Sequence, residues 1–292
     1  MAEPVFSLRT SGRLRRRQLV SRMMGALAFA AALLAVAALA IVVISVASKG
    51  ASALSIDFFT KSQPQGFQPA GGGILFAIVG SAVIVGIATL IALPLGVLVA
   101  IYVSELAPPR LARVARLALD ITNGIPTIVI GIFVFTIVAA HQSALAGSVA
   151  LAIIMVPLIA RATEEVLLLV PPAQREASLA LGVSRWRTTF SVVVPSALGG
   201  ILTGTTLAIA RAAGETAPLL FLTALGTTSY ADANPFHPLQ SMTFAIFTYS
   251  DQADPAFQAK AWAAAFTLMC FVLATSLAAK LAMARYRKKL GG

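Results

Sequence analysis

The feature that most constrains the fold of this chain is a series of six long apolar blocks. They cover approximately residues 23–47, 74–103, 118–140, 145–168, 191–222 and 261–283. Roughly 20 apolar residues are enough for an α-helix to cross a bilayer. Only 11% of the residues are charged, whereas a soluble domain carries about a quarter. The sequence therefore predicts an all-α polytopic membrane protein with six transmembrane helices.

The first block predicts a transmembrane anchor at 23–47 rather than a cleaved signal peptide. Arginines precede it, as in a signal peptide, but its apolar core is longer than the roughly 7–15 residues of a signal-peptide core. Residues 1–22 form a basic tail in front of it. The main transmembrane domain is predicted at 71–285, with a loop at 169–190.

The distribution of Lys and Arg predicts the orientation. Eighteen of them fall in segments that lie on one side if the N-terminus is cytoplasmic, and three, Lys49, Lys61 and Lys260, fall on the other side. Cytoplasmic loops carry the excess of Lys and Arg. Both termini, the tail 1–22 and the loop 169–190 are therefore predicted to be cytoplasmic, in the plasma membrane of a prokaryote.

The net charge of +11 does not predict a nucleic-acid partner. The basic residues cluster at the ends of apolar blocks, which is typical of contact with lipid head groups. The single cysteine, Cys270, lies within an apolar block, so the sequence predicts neither a disulfide framework nor a metal site. His141 and His237 are predicted to be solvated residues of outer loops.

The segment 176–195, "EASLALGVSRWRTTFSVVVP", predicts a short cytoplasmic helix held between two spans. Its first six residues are good helix formers, and Gly182 favours a helix end in the left-handed conformation. Trp186 lies between two arginines and suits the membrane–water boundary. Pro195 falls in the first turns of the next span. Such a helix is suited to contact with another molecule.

This segment resembles the EAA motif of the type I (MetI-like) ABC importer permeases. The match is carried by Glu176, Ala177, Gly182 and Pro195, with Ser178 in place of the second alanine. The resemblance implies the type I permease fold and a coupling helix that docks into a cleft of a cytoplasmic ATPase. It implies contact residues at Glu176, Ala177, Ser178, Gly182, Trp186 and Pro195. Because the sequence has no phosphate-binding loop, no cofactor is expected on this chain, and ATP and Mg²⁺ are expected on the ATPase.

The fifth block contains two charged residues, Arg211 and Glu215, four positions apart on what is predicted to be one helix face. Charge within a span is costly and indicates a functional site, although a structural ion pair explains it too. Arg211 lies about 30 Å along a helix from Ser191, toward the outer half of the membrane. Beside it, small residues at a spacing of four predict close packing against another helix: Gly200, Gly204, Ala208 and Ala212.

The charged pair predicts an oxyanion as solute, because a guanidinium binds a tetrahedral oxyanion through two parallel hydrogen bonds. Phosphate retains a P–OH donor at neutral pH and sulfate has none. We therefore hypothesise that Glu215 favours protonated phosphate over sulfate.

"ARAAGETAPLL", "NGIPTIVIGIF" and "VPLIARATEE" resemble the phosphate-specific subfamily of these permeases, and the run 214–220 resembles its A-type rather than its C-type subunits. The resemblance implies that Arg161, Arg211 and Glu215 line the phosphate pathway. It implies a heterodimer with a C-type permease, two B-type cytoplasmic ATPase subunits and an extracytoplasmic phosphate-binding protein. For Arg161, snorkelling or pairing with Glu164 or Glu165 is an equal alternative.

Other interpretations stay open from the sequence alone. The solute could be phosphonate, sulfate or molybdate, or the chain could be an intramembrane enzyme acting on lipid-linked phosphates. A structural scaffold does not explain the charge in the fifth span. Asp120 and Asn123 either line the inner vestibule or cap a helix. Pro94, Pro126 and Pro157 are expected to kink their spans or to bend them for packing.

Overall fold

The computed structural model describes residues 12–63, 72–139 and 141–289, which contain twelve α-helices and three π-helical turns. The α-helices are α1 (Gly12–Ala51), α2 (Ile56–Thr60), α3 (Leu75–Ile101), α4 (Pro109–Gly124), α5 (Thr127–Phe133), α6 (Ala144–Leu168), α7 (Pro172–Ala180), α8 (Arg185–Thr188), α9 (Val194–Ala213), α10 (Ala217–Leu222), α11 (Met242–Ser250) and α12 (Pro255–Lys289). The π turns are Tyr102–Leu106, Val134–Ala139 and Thr189–Val193. The chain divides into two units, Met1–Lys49 and Gly50–Gly292.

The first unit contains most of α1. This helix has 40 residues, which gives it a length of about 60 Å, twice the thickness of the hydrocarbon core of a bilayer. It begins at Gly12, so the described part of the predicted basic tail, residues 12–22, is helical and continuous with the anchor. The boundary predicted at residue 22 is therefore not a helix end. Residues 1–11 of that tail lie outside the described residues.

The second unit is built around α6, the most deeply buried of its long helices. α3 packs along one side of α6, where a Cβ added at Gly96 would lie 2.8 Å from Ile159 Cβ. α9 packs on α6 as well, with Gly200 against Val166 and Gly204 against Ala162. Small residues permit such close backbone approach where lipid removes the hydrophobic drive between helices. The predicted ridge of small residues on the fifth span therefore packs as expected.

Five helices in the described residues are long and apolar enough to cross a membrane, and there are six spans if the bent pair Pro109–Gly124 and Thr127–Val138 is counted as one. The five are Leu14–Ala51, Leu75–Leu106, Ala144–Leu168, Arg185–Ala213 and Pro255–Leu281. Their positions agree with five of the six predicted blocks. Pro94 and Pro157 lie inside continuous helices and do not break them.

The third predicted block, 118–140, is not one continuous helix, and it bends sharply at Pro126, where a kink or a packing bend was expected. α4 and α5 are separate helices that meet at an angle of 97°. The break lies at Ile125 and Pro126. Proline disfavours helical backbone at the preceding residue and removes an N–H donor, and Ile125 has an extended conformation, with φ −70° and ψ 130°.

The fifth block is also interrupted. α8 continues through the π turn Thr189–Val193 into α9, which ends at Ala213, and α10 begins only at Ala217. The π turn ends at Val193, two residues before Pro195, which is the second residue of α9. A proline ring clashes with the carbonyl four residues earlier in an α-helix. The wider π turn provides room for the ring, so the helix continues through Pro195.

Candidate functional site

Arg211 and Glu215 lie at the break of the fifth span. Arg211 is in the last turn of α9 and half of its side chain is exposed, whereas Glu215 is largely covered. Arg211 Nε and Glu215 Oε1 are 3.7 Å apart, longer than a hydrogen bond. The prediction that both lie on one helix face is wrong, because α9 ends at Ala213 and Glu215 follows it. They form an ion pair across a helix end.

Several contacts hold this break in place. The N–H of Glu215 donates to the carbonyl of Ala212 (3.1 Å). The carbonyl of Glu215 accepts a hydrogen bond from Thr243 Oγ1 (2.9 Å), in the first turn of α11. α10 packs on α5, where a Cβ added at Gly131 would lie 2.6 Å from Pro218 Cα. The two helices that follow the breaks, α5 and α10, therefore pack against each other. Only glycine at position 131 permits that close approach.

The two sides of α9 differ. Ala208 and Ala212 are buried with the ridge that faces α6, whereas Leu207 and Arg211 are exposed. Close packing of the small-residue side therefore turns the guanidinium of Arg211 away from the core of this chain. The charged group is available to a cavity or to another chain.

Arg161 has a different environment from Arg211. Each nitrogen of its guanidinium has a partner: Nε donates to Asp120 Oδ1 (3.0 Å), Nη1 to Glu164 Oε2 (3.1 Å) and Nη2 to the carbonyl of Arg116 (3.3 Å). Nη2 also forms an ion pair with Asp120 Oδ2. The predicted alternative of pairing with Glu164 is confirmed, and Glu165 is exposed.

Most of this charge network has no signature in the sequence. Arg116 Nε donates to Glu164 Oε1 at 2.5 Å, so the nearly buried Glu164 bridges two arginines. Asp120 joins α4 to Arg161 of α6. Asn123 is exposed at the end of α4. The partners are more than 40 positions apart in sequence, and no local pattern indicates such pairs.

The segment 176–195, which was predicted to contain a coupling helix, includes the second half of α7, α8, the π turn and the start of α9. The left-handed conformation predicted at Gly182 is confirmed by φ +79°. Ser178 is buried, with its Oγ 2.9 Å from Thr188 Oγ1, so it closes the turn between α7 and α8 rather than facing outward. The remaining predicted contact residues are exposed: Glu176, Ala177, Gly182, Trp186 and Pro195.

Large apolar side chains surround these residues. Leu181 is 84% exposed, Leu179 is also exposed, and the ring of Trp186 packs on Phe190 with centroids 4.4 Å apart. An exposed apolar patch of this kind marks a surface that binds another protein or lipid. The geometry of α7 therefore fits a docking element.

His237, which was predicted to be solvated, lies in the loop between α10 and α11. Its Nδ1 lies 2.6 Å from Asp232 Oδ2, and the backbone N–H of Asn234 donates to Asp232 Oδ1 (2.9 Å). The Asn234 N–H and then His237 lower the pKa of Asp232 below the usual carboxyl range. His237 therefore has an acidic partner that the sequence analysis did not identify. Within the described residues, no group of three or more His, Cys, Asp or Glu side chains is arranged to hold a metal ion.

Over residues 92–288 the chain matches the family model described as binding-protein-dependent transport system inner membrane component. The chain belongs to this family. The match includes every candidate site residue. The permease is thus a multi-pass membrane protein and a transport subunit rather than an enzyme, so the interpretation as an intramembrane enzyme does not hold.

The permease is similar to several proteins named phosphate transport system permease protein PstA. It is 40% identical over 238 residues to the one from Haemophilus influenzae (strain ATCC 51907 / DSM 11121 / KW20 / Rd), covering 80% of this chain and 83% of that one. It is 39% identical over 248 residues to the Yersinia pestis protein, covering 84% and 83%. With the Pasteurella multocida (strain Pm70) protein it shares 35% identity over 269 residues, covering 91% and 95%.

The fold of the permease is similar to that of a chain in the inward-facing MetNI methionine ABC transporter. The TM-score is 0.58 at 19% identity, covering 75% of this chain and 96% of that one. At this identity the likeness concerns the fold alone. The predicted MetI-like type I importer fold is confirmed.

The permease contains one further contact that sequence analysis did not find. Arg175, in the first turns of α7, donates from Nη2 to Glu105 Oε1 (2.8 Å) and from Nε to Glu105 Oε2 (3.2 Å). Glu105 lies in the π turn at the end of α3, 70 positions earlier in the chain. α7 is thereby fixed to the C-terminal end of α3.

Proposed function

We propose that the permease forms half of the translocation pathway of an ATP-driven phosphate importer, as its A-type permease subunit. Two observations support this: the relatives named as phosphate transport permeases, each of which the chain covers over most of its length, and the availability of Arg211. The assignment of the site rests on Arg211, whose guanidinium is exposed and free to bind a solute.

The availability of Arg211 follows from its loose ion pair. At 3.7 Å from Glu215, with half of the side chain exposed, the guanidinium keeps N–H donors for a solute. A tetrahedral oxyanion accepts two parallel charge-assisted hydrogen bonds from such a group. The carboxylate of Glu215 accepts a hydrogen bond from the P–OH of phosphate, which keeps its proton, whereas sulfate has no such donor and places its negative charge against the carboxylate. The pair thus favours protonated phosphate.

Arg161 is proposed as a second pathway residue only on the family resemblance. Its guanidinium is held by Asp120 and Glu164. Phosphate passage along Arg161 therefore requires that these ion pairs open during the transport cycle.

The proposed assembly contains a C-type permease subunit, two B-type ATPase subunits and an extracytoplasmic phosphate-binding protein. ATP and Mg²⁺ bind to the ATPases, which dock on the exposed apolar surface of α7 around Leu181. ATP binding closes the ATPases and moves α7, and the spans rock to open the pathway outward. In this proposal α7 and both termini lie in the cytoplasm of a prokaryote, and the excess of Lys and Arg on one side supports that orientation.

The test uses membrane vesicles that contain the whole transporter, with uptake of labelled phosphate and sulfate measured as ATP is supplied. We expect ATP-dependent phosphate uptake and little sulfate uptake. Glu215→Gln is expected to reduce the preference for phosphate roughly tenfold, the factor for one hydrogen bond to a charged group. Glu165→Gln, an exposed glutamate of α6, is the control and keeps the preference. Unchanged phosphate uptake and sulfate rejection with Glu215→Gln contradict the assigned role, and a lack of ATP-dependent phosphate uptake contradicts the function.

A further inference from the structure

The side chain of Arg175 connects three elements of the fold. It begins on α7, forms the two-pronged contact with Glu105 at the end of α3, and donates from Nη2 to the carbonyl of Leu167 (2.7 Å) and from Nη1 to that of Val170. Leu167 is in the last turn of α6 and Val170 lies just beyond it, at a helix C-terminus, where the helix dipole stabilises a cation. Both side chains are mostly covered, with 22% of Arg175 and 11% of Glu105 exposed.

The rest of α7 has few contacts of this strength. Ser178 is its buried residue and contacts Thr188, ten positions later in the same loop. Gln174 accepts a long hydrogen bond from Ser196 of α9 (3.4 Å). α7 is therefore tied to its own loop and to α9 by weak polar contacts, and to α3 by a charged, bidentate one.

α3 is packed so that it can transmit a movement of α7 to the other core helices. Its Gly96 is in close contact with Ile159 of α6, and its buried residues share a core with α6 and α9. Packed cores move as rigid bodies rather than deforming continuously. A displacement at Glu105 therefore reaches the helices that carry Arg161 and Arg211.

We propose that Arg175 and Glu105 form a strut that makes the coupling helix α7 and the end of α3 move together, so that Arg175 is a positioning residue for the coupling of ATP hydrolysis to transport. The proposal rests on the ATP-driven transport function given above. It assigns the pair no contact with the solute. Loss of the strut leaves α7 able to dock on an ATPase but unable to move α3.

The first experiment measures phosphate taken up per ATP hydrolysed, in vesicles that contain the whole transporter. With Glu105→Gln and with Arg175→Lys, we expect ATP hydrolysis to continue and the phosphate-to-ATP ratio to fall roughly tenfold, the factor for one charge-assisted hydrogen bond. A merely structural role lowers hydrolysis and uptake in proportion, so the ratio stays constant and the proposal is overturned. The control is Asp57→Asn, which removes an exposed ion pair with Lys61 elsewhere in the chain and is expected to keep the ratio.

The second experiment needs no solute, so it separates the strut from the phosphate assignment. Tyr102→Cys is introduced on the π turn of Glu105, where Tyr102 is 44% exposed, in a Cys270→Ser background. The rate of maleimide labelling is measured in the whole transporter with and without a non-hydrolysable ATP analogue. We expect the analogue to change the rate when Glu105 is present and not with Glu105→Gln. No change with Glu105, or the same change without it, overturns the strut, whereas failed phosphate uptake by the unmodified transporter overturns only the phosphate function.

Discussion

Gly204 on α9 faces Ala162 on α6 so closely that a Cβ on the glycine would overlap the alanine methyl group. This contact brings the backbones of two central helices together in the middle of the bundle. It also fixes the rotation of α9 about its axis. Because Gly204 and Ala208 face α6, Arg211 is directed to the exposed side.

Gly204→Ala is expected to destabilise the permease by about 1–3 kcal/mol, the usual cost of overpacking a tight contact. Ala162→Gly in the same chain removes the methyl group that the new Cβ meets, so the double variant is expected to recover most of the loss. Thermal unfolding of the purified chain in detergent measures both effects. Gly86→Ala is the matched control in α3, because a Cβ there meets nothing within 4 Å. Equal melting temperatures for the Gly204 and Gly86 variants would contradict this account of the packing.

The apolar blocks were sufficient to predict five spans, because a run of aliphatic residues in lipid leaves the backbone few alternatives to helix. They did not reveal the breaks after Gly124 and Ala213. Each break lies inside a longer apolar block, and a proline in a span is compatible with a continuous helix, as at Pro94 and Pro157. Where a break falls depends on tertiary partners such as Thr243, which holds the carbonyl of Glu215.

The candidate site, like the fold, was only partly predictable from the sequence. Charge within an apolar block identified Arg211 and Glu215, and the spacing of the EAA-like motif identified α7. The ion pairs of Arg161 with Asp120 and of Arg175 with Glu105 were not predictable. Each joins residues far apart in sequence, and helix packing alone brings them together.

Gly182→Ala tests the end of α7, the proposed coupling helix. At φ +79° an alanine costs about 1–2 kcal/mol in backbone conformation, and because a Cβ there meets no atom of the surrounding fold within 4 Å, the cost arises in the local backbone alone. We expect ATP-dependent uptake to fall while membrane insertion is unchanged. Asparagine tolerates this conformation better than alanine, so Gly182→Asn is expected to retain more uptake. Uptake in vesicles and the amount of inserted chain are the measurements, and full uptake with alanine would refute the importance of this turn.

Substitution of Arg211 tests whether geometry or charge binds the solute. Arg211→Lys keeps the charge but loses the planar fork, so phosphate uptake at low concentration is expected to fall roughly tenfold; Arg211→Gln also removes the charge, with a loss of roughly a hundredfold. Arg113→Lys, on the exposed face of α4, is the control and keeps uptake. Equal uptake by the Lys variant and the unmodified chain would show that the fork is not used.

The Asp232 loop predicts a defined acid sensitivity. The carbonyls of Pro235 and His237 accept hydrogen bonds from Leu145 and Ala144 at the start of α6 (both 2.8 Å), so the loop caps that helix. The pKa of Asp232 is lowered by the N–H of Asn234 and by His237. Its contacts therefore add stability at neutral pH, and that stability is lost as the pH falls through the lowered pKa, below the usual carboxyl range.

Asp232→Asn does not titrate, so its melting temperature is expected to lie below that of the unmodified chain at pH 7 and to converge with it in acid. Asp251→Asn, an exposed carboxylate at the end of α11, is the control and follows the unmodified chain at every pH. A constant difference for the Asp232 variant across the pH range would contradict the assigned role of the carboxylate.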